Sequence, residues 1–215
     1  MMPMEVLCYN TLEGEAIGEI VVKKSRFIAN IFHVESEDEA LSILERMRKQ
    51  YWDARHNCYG YIIGKNKELV RFSDEGEPGG TAGKPILEVI KGRDLTDILV
   101  VVTRYFGGVL LGTGGLVRAY TDATIEGLSN ANLVTVTYMQ KLGIEVDYNT
   151  IGKLKYVLST DGIMICDETY TDKVSVVIAI PVPDTERVLD KLVDVTGGRA
   201  VISKLSKIYM GLSIS

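Results

Sequence analysis

The order of hydrophobic patterns between residues 141 and 210 constrains the fold of this chain more strongly than any other feature. Strand-like and helix-like patterns follow one another there without a long gap. The predicted strands lie at residues 141–148, 163–171, 174–181 and 200–210, and the predicted helices cover residues 150–159 and the segment between Asp184 and Gly197. This βαββαβ order predicts a ferredoxin-like fold of about 75 residues, with one sheet and both helices on one of its faces.

The first half of the chain also mixes strands and helices. The predicted strands lie at residues 18–23, 26–33, 56–63 and 97–105, and the predicted helices follow a capping box at residues 36–39 and cover residues 115–131. The apolar run at residues 98–102 is typical of a central strand that is covered on both faces. The polar, glycine-rich stretch at residues 72–85 is predicted to be a loop, long enough to carry function.

These patterns predict an α+β protein with two domains, residues 1–138 and 139–215. The three cysteines, Cys8, Cys58 and Cys166, are odd in number and far apart, which favours a reducing, cytoplasmic location over a disulfide framework. No apolar stretch approaches the roughly 18 residues of a membrane span, and we expect no secretory signal. The formal net charge of −5 argues against bulk coating of nucleic acid but leaves room for a local basic patch.

A glycine-rich turn joins the predicted central strand to the next helix. Its glycines are Gly107, Gly108, Gly112, Gly114 and Gly115. Such a turn exposes backbone N–H groups at a helix N-terminus, where the dipole attracts an anion, and Arg104 and Arg118 add positive charge. The alternative is that the glycines serve only turn geometry and close packing. Two nucleotide motifs are excluded, because Val117 replaces the third glycine of a dinucleotide fingerprint and Pro85 replaces the hydroxyl residue of a P-loop.

The polar loop places three carboxylates, those of Asp74, Glu75 and Glu77, within four residues. Clustered carboxylates can bind magnesium or calcium, but solvated turn residues or an interaction surface explain this spacing better. We therefore predict no metal site and no cofactor. His56 and Cys58 share one face of a predicted strand, but a separation of about 6.6 Å is too long for a nucleophile and its base.

Three separated motifs resemble the YigZ/IMPACT family. They read DARHNCY at residues 53–59, FSDEGEPGGTAGKPIL at residues 72–87, and VVTRYFGG followed by LGTGGLVRAY at residues 101–108 and 111–120. The motifs stand in the order of the family and span the region between residues 50 and 120. Gly79 stands where the family has serine.

The resemblance implies a fold for each domain. The N-terminal domain would have the fold of the second domain of ribosomal protein S5, and the C-terminal domain would resemble the ferredoxin-like C-terminal domain of elongation factor G. This is the bacterial form of the family. Its eukaryotic members carry a different N-terminal domain and modulate a translational stress kinase by competing for its ribosome-associated activator. Both fold likenesses point toward RNA or the ribosome.

We therefore predict a cytoplasmic, non-catalytic binding protein that is linked to translation and contacts RNA or a ribosome-associated protein. The predicted residues for binding an anion or nucleic acid are Lys84, Arg104, Tyr105, Gly107, Gly108, Gly114, Gly115 and Arg118. The predicted loop interaction surface consists of His56, Asn57, Asp74, Glu75, Glu77 and Thr81.

Two alternatives remain open. One is an enzyme that acts on a phosphorylated small molecule, with the phosphate at the helix N-terminus after Gly114-Gly115 and the loop carboxylates as acid, base or metal ligand. The other is purely structural, so that replacing Gly108 or Gly114 would lower stability without affecting any ligand. Convergence of Asp74, Glu77, Arg104 and Arg118 on one cleft would favour a binding role.

Overall fold

The computed structural model describes residues 6–213 and contains strands and helices in both halves of the chain. Two compact units divide these residues: an N-terminal unit built on Tyr9–Thr135 and a C-terminal unit built on Val136–Gly211. Residues 6–8 belong to the C-terminal unit, and residues 212–213 belong to the N-terminal unit. The predicted α+β class with two domains is confirmed at this level. Within residues 6–213, no helix has both the length and the apolar character that crossing a membrane requires.

A five-stranded antiparallel sheet forms the centre of the N-terminal unit. Its strands are β2 (Glu15–Val22), β3 (Ser25–His33), β4 (His56–Ile63), β5 (Leu69–Ser73) and β6 (Ile98–Tyr105), in the order β2-β3-β6-β4-β5. The predicted pairing of β2 with β3 is confirmed, and β6 is the central strand that its apolar run predicted.

Helices cover both faces of this sheet. They are α1 (Glu37–Gln50), α2 (Gly83–Gly92) and α3 (Gly112–Ser129). Alternate β6 residues point into two cores, because successive side chains of a strand face opposite sides. Val100 packs in the core that α2 and α3 cover, whereas Val101 packs in the core that α1 covers. Ser36 begins α1 by accepting a hydrogen bond from the Glu39 amide at 3.3 Å, as the capping box predicted.

Part of the region that was predicted to be a loop is regular structure. β5 ends at Ser73 and α2 begins at Gly83, so the irregular segment is only residues 74–82. Pro85 lies in the first turn of α2, where its missing N–H leaves no helical hydrogen bond unmade. The pattern did not predict these boundaries because polar and glycine residues dominate the segment. The apolar residues of β5 and α2 form only short runs at its two ends.

The C-terminal unit has the βαββαβ order that the hydrophobic patterns predicted. Its elements are β7 (Asn132–Val146), α4 (Tyr148–Thr160), β8 (Met164–Tyr170), β9 (Val174–Pro181), α5 (Thr185–Thr196) and β10 (Val201–Ser213). In the sheet, β10 pairs with β7, and the order β7-β9-β8 follows; β1 (Cys8–Glu13) also pairs with β7 as the fifth strand. β7 begins earlier than predicted because its first residues lie beside β1 (Cys8–Glu13), where the Thr135 hydroxyl donates to Asn10 at 2.8 Å. Apolar residues of α4 and α5, including Leu154, Leu158 and Leu192, form the core with β7 and β9.

Candidate functional site

A buried ion pair lies at the end of the central strand of the N-terminal unit. Arg104 Nη1 donates to Glu77 Oε1 at 2.7 Å, and the two side chains are only 8% and 3% exposed. The Tyr120 hydroxyl donates to the same carboxylate oxygen at 2.8 Å. The guanidinium carbon lies 5.4 Å from the ring centre of Phe27 and 5.6 Å from that of Phe106. Glu77 is thus a buried partner of Arg104 and lies away from the loop surface where the sequence analysis placed it.

Arg104 also lines a small open cleft. The cleft has a volume of about 220 Å³ and is formed by Arg55, His56, Arg104, Phe106 and Leu110. Strand pairing explains this meeting, because His56 on β4 stands directly opposite Arg104 on β6. Arg55 is exposed and has no ion pair among residues 6–213, so its positive charge is available to a ligand.

The first two residues of β4 are held by hydrogen bonds. His56 Nδ1 lies 2.9 Å from the carbonyl oxygen of Glu75. Because a carbonyl oxygen only accepts, Nδ1 carries the proton and Nε2 is left for other partners. Asn57 is buried, and its Oδ1 accepts from the Thr103 hydroxyl at 2.7 Å. His56 therefore borders the cleft, while Asn57 supports the sheet.

The three loop carboxylates bind three different partners. Asp74 accepts from the amides of Gly80, Ala82 and Gly83 at 2.7, 3.0 and 2.8 Å. Glu75 pairs with Arg48 at 2.7 Å, and Glu77 pairs with Arg104. In the part of the chain that the structure describes, no group of three or more metal-ligating side chains gathers. The carboxylate cluster seen in the sequence is thus dispersed by folding.

Thr81 and Cys58 are also engaged in structural contacts. The Thr81 hydroxyl donates to the Pro78 carbonyl at 2.7 Å. Cys58 is buried, and its Sγ donates to the Asp74 carbonyl at 3.0 Å. Burial raises the pKa of the Cys58 thiol to about 12, an effect that the carboxylates of Glu77 and Asp74 strengthen. The thiol is therefore protonated at neutral pH, which excludes it as an activated nucleophile.

The N-terminus of α3 is open to solvent. Gly112, Thr113 and Gly114 are exposed, no side chain caps the first turn, and the turn contains no acidic residue. Its amides are therefore free to meet an anion. The start of α2 is the opposite case, because the Asp74 carboxylate occupies its amides. Arg118 lies nearly two turns into α3, is exposed and has no ion pair within residues 6–213, and it is not among the residues that line the cleft.

The glycines of the turn before α3 differ in what they do. A Cβ at Gly107 would clash with the backbone of Lys24, so only glycine fits there. Gly108 has a φ of +83°, which disfavours other residues. Gly114 faces open space, whereas a Cβ at Gly115 would come within 3.2 Å of Leu111. The structural interpretation therefore applies to Gly107 and Gly108, but not to Gly114.

Two further predicted site residues, Tyr105 and Lys84, are not among the residues that line the cleft. The Tyr105 hydroxyl donates to Asp53 at 2.8 Å, and Arg26 lies 5.7 Å from the centre of the Tyr105 ring. Lys84 lies elsewhere in the N-terminal unit. It lines a cavity of about 490 Å³ between α2 and α3, together with residues that include Val117 and Thr121.

Sequence reasoning missed three large, exposed apolar side chains of the N-terminal unit. Trp52 is 81% exposed, Phe106 is 52% exposed and Leu110 is 83% exposed. Of these three, Phe106 and Leu110 lie together in the cleft. Arg55 was overlooked although it precedes His56 in the first family motif. Only the pairing of β4 with β6 shows that it shares a cleft with Phe106 and Leu110.

Comparisons with known proteins identify the relatives of this chain. Residues 23–128 match the model of the Impact N-terminal domain, and residues 144–199 match a domain of unknown function (DUF1949). The chain is 36% identical to IMPACT family member YvyE of Bacillus subtilis over 96% of this chain and 95% of that protein. It is 34% identical to IMPACT family member YigZ of Escherichia coli over 82% of this chain and 88% of that protein.

Fold and site together define a two-unit α+β protein with an arginine-lined cleft and an open helix N-terminus in its N-terminal unit. The chain belongs to the IMPACT family and has the bacterial two-domain form, as its three motifs predicted.

Two further comparisons extend this result. Protein IMPACT homolog of Dictyostelium discoideum is 37% identical, over 55% of this chain and 34% of that protein. A solved structure titled as that of a hypothetical protein has a TM-score of 0.60, is 29% identical and covers 94% of this chain and 99% of its own. The names of these relatives state no reaction.

Proposed function

We propose that this protein is a non-catalytic binding protein linked to translation, and that its N-terminal unit binds single-stranded RNA. One observation carries the proposal: the cleft combines Arg55, which has no ion pair among residues 6–213, with two exposed apolar side chains, Phe106 and Leu110. Proteins that bind single strands without sequence preference use this combination, because arginine attracts phosphates while aromatic rings stack on bases.

Further features of the N-terminal unit support the same function. Leu110 is followed by Leu111, the N-cap of α3, so the open amides of this helix continue from the cleft. Arg118, in α3, adds a second cation without an ion pair among residues 6–213. The formal net charge of −5 means that the rest of the chain repels RNA, so binding would depend strongly on these few groups.

The finer fold assignments are part of the proposal. The βαββαβ element order and the sheet order β10-β7-β9-β8 support a ferredoxin-like fold for the C-terminal unit. For the N-terminal unit we propose the fold of the second domain of ribosomal protein S5, which rests on the family motifs. Cys8, Cys58 and Cys166 are all free thiols, which supports a reducing, cytoplasmic location.

The enzyme alternative has less support. Asp74 binds backbone amides, while Glu75 and Glu77 are paired with arginines. None of these carboxylates is therefore available as an acid, a base or a metal ligand without breaking an existing contact.

The test is RNA binding measured by fluorescence anisotropy over a series of salt concentrations. We expect the double variant Arg55→Ala/Arg118→Ala to bind more weakly than wild type. For each lost phosphate contact, the slope of the logarithm of the binding constant against the logarithm of the salt concentration should become about 0.7 less negative, because fewer counterions are released. Both side chains are exposed and unpaired within the described residues, so their loss should not affect folding.

A matched control removes the same charge elsewhere. Lys91 and Arg93 are exposed near the C-terminal end of α2, and Lys91→Ala/Arg93→Ala should keep the wild-type affinity and slope apart from a small general charge effect. Equal affinities for wild type and the Arg55/Arg118 variant, or affinity that does not change with salt, would refute the proposal.

A further inference from the structure

Arg104, which lines the cleft, has a buried hydrogen-bond donor without an acceptor. The Arg104 side chain is only 8% exposed, and its Nη1 is bound to Glu77. Its Nε, however, has no hydrogen-bond partner among residues 6–213 and is shielded from solvent. An unmet buried donor is unfavourable, so a shift of the Arg104 side chain that brings Nε to a ligand oxygen in the cleft would relieve it. Arg55, which lines the same cleft, would hold the negative charge of such a ligand.

The same cleft also offers an acceptor. His56 Nδ1 is committed to the Glu75 carbonyl at 2.9 Å, so the neutral ring carries its proton on Nδ1 and its lone pair on Nε2. A Cβ at Gly76 would lie 3.5 Å from both Nδ1 and Cε1, which shows that this edge of the ring faces the loop. His56 lines the cleft, and its Nε2 has no hydrogen-bond partner among residues 6–213, so this nitrogen suits a ligand hydroxyl.

We propose that this cleft binds one ribonucleotide of the RNA and distinguishes it from a deoxyribonucleotide. A phosphate oxygen accepts from Arg104 Nε and from Arg55, the ribose 2′-hydroxyl donates to His56 Nε2, and the nucleoside packs against Phe106 and Leu110. The volume of about 220 Å³ is below the roughly 300 Å³ at which pockets for whole drug-sized ligands begin, so the cleft suits one sugar–phosphate unit. This inference rests on the proposed function, because it assumes that RNA binds this surface.

The chemistry favours RNA over DNA for a specific reason. The 2′-hydroxyl is the group that lets a protein tell RNA from DNA, and it is a hydrogen-bond donor as well as an acceptor. With DNA in the cleft, His56 Nε2 would lose its partner. A hydrogen bond of this kind corresponds to a preference of about threefold to tenfold.

The experiment compares three oligonucleotides of one base sequence: RNA, its 2′-deoxy form with uracil, and its 2′-O-methyl form. The full-length wild-type protein should bind the RNA about threefold to tenfold more tightly than either of the others. The 2′-O-methyl form keeps an RNA-like sugar but cannot donate, so it separates the hydrogen bond from the shape of the strand.

Two substitutions locate the effect at one atom. In His56→Asn the amide nitrogen replaces Nδ1 and still donates to the Glu75 carbonyl, but the acceptor at Nε2 is gone, so the RNA-to-DNA affinity ratio should fall to about one. In His56→Gln the side-chain oxygen returns an acceptor near Nε2, and part of the ratio should recover. His33→Asn is the matched control, because His33 lies opposite Ile98 at the other end of β6 and its change should leave the ratio intact.

The possible failures are distinguishable. If the protein binds RNA in a salt-dependent way but binds DNA or the 2′-O-methyl strand equally well, the ribose inference is overturned and the proposed function stands. If the His56→Asn protein keeps the full preference for RNA, the ribose inference is likewise overturned and the proposed function stands. If no oligonucleotide binds, the proposed function is overturned together with the inference.

Discussion

Asp74 illustrates how a single carboxylate can order a loop. It accepts three backbone hydrogen bonds, two of them from Ala82 and Gly83 at the start of α2. These are donors that a helix leaves unmet, and the negative charge also favours the N-terminal end of the helix dipole. The loop at residues 74–82 thereby takes a defined path past Glu77, whose carboxylate reaches Arg104. At the scale of the residue, Asp74 is a positioning group for the site.

We expect Asp74→Ala to lower the free energy of unfolding by about 2 kcal/mol, because it removes a charged helix cap. Asp74→Asn should lose less, since its amide oxygen still accepts from the α2 amides. Urea denaturation measures both changes. The control is Glu75→Gln, which removes only the ion pair with Arg48 and should cost less than about 1 kcal/mol. A loss in Asp74→Ala no larger than that in Glu75→Gln would contradict the capping role.

The two helices that flank the site begin in opposite ways. Asp74 closes the N-terminus of α2, so no external anion is needed there. The N-terminus of α3 has neither a side-chain cap nor an acidic residue in its first turn, and Gly112 and Gly114 leave its backbone uncovered. At the scale of the element, the first amides of α2 are satisfied by a side chain of the protein, whereas those of α3 are open to a ligand.

This difference makes Gly114→Ala informative. Its Cβ would meet nothing within 4 Å, and alanine favours a helix over glycine, so the variant should be more stable by about 0.5–1 kcal/mol. The added methyl group would nevertheless obstruct the approach of a phosphate to the helix amides, so RNA affinity should fall. Thermal unfolding and anisotropy measure the two effects. Lower stability with unchanged affinity would instead support a purely structural role for this glycine.

At the scale of the whole molecule, the two units place the three cysteines in different environments. Cys58 is buried in the core of the N-terminal unit, whereas Cys8 and Cys166 are exposed. The raised pKa of Cys58 means that the folded protein holds this proton more tightly than the unfolded chain does. The protonated Cys58 thiol therefore makes its full contribution to the free energy of unfolding below pH 9.0, and this contribution is lost as the pH rises toward about 12.

We expect a thiol reagent at mildly alkaline pH to modify Cys8 and Cys166 of the native protein quickly, because both are exposed. Cys58 should react only as fast as the N-terminal unit opens, because its sulfur is both buried and protonated. In denaturant, all three should react together. Mass spectrometry of digested samples assigns each modified residue. Rapid labelling of Cys58 in the native protein would show that the core around it opens far more easily than its burial implies.

Local sequence patterns alone predict most of the helices and strands of both units. The alternating strands, the capping box at Ser36 and the apolar run of β6 each depend on neighbours along the chain, and the structure has elements where these patterns predicted them. The βαββαβ order of the C-terminal unit was predictable for the same reason. β5 and α2 were not, because each is a short element beside a polar loop whose composition dominates the pattern.

The site, by contrast, depends on which distant residues meet. Arg104 and Glu77 look like two separate surface charges in the sequence, and only packing brings them within 2.7 Å and buries both. The pairing of β4 with β6 likewise sets His56 opposite Arg104 and places Phe106 and Leu110 in the same cleft. Residue types restrict the chemistry that is possible, whereas long-range pairing and burial decide which charges are already neutralised and which remain free for a ligand.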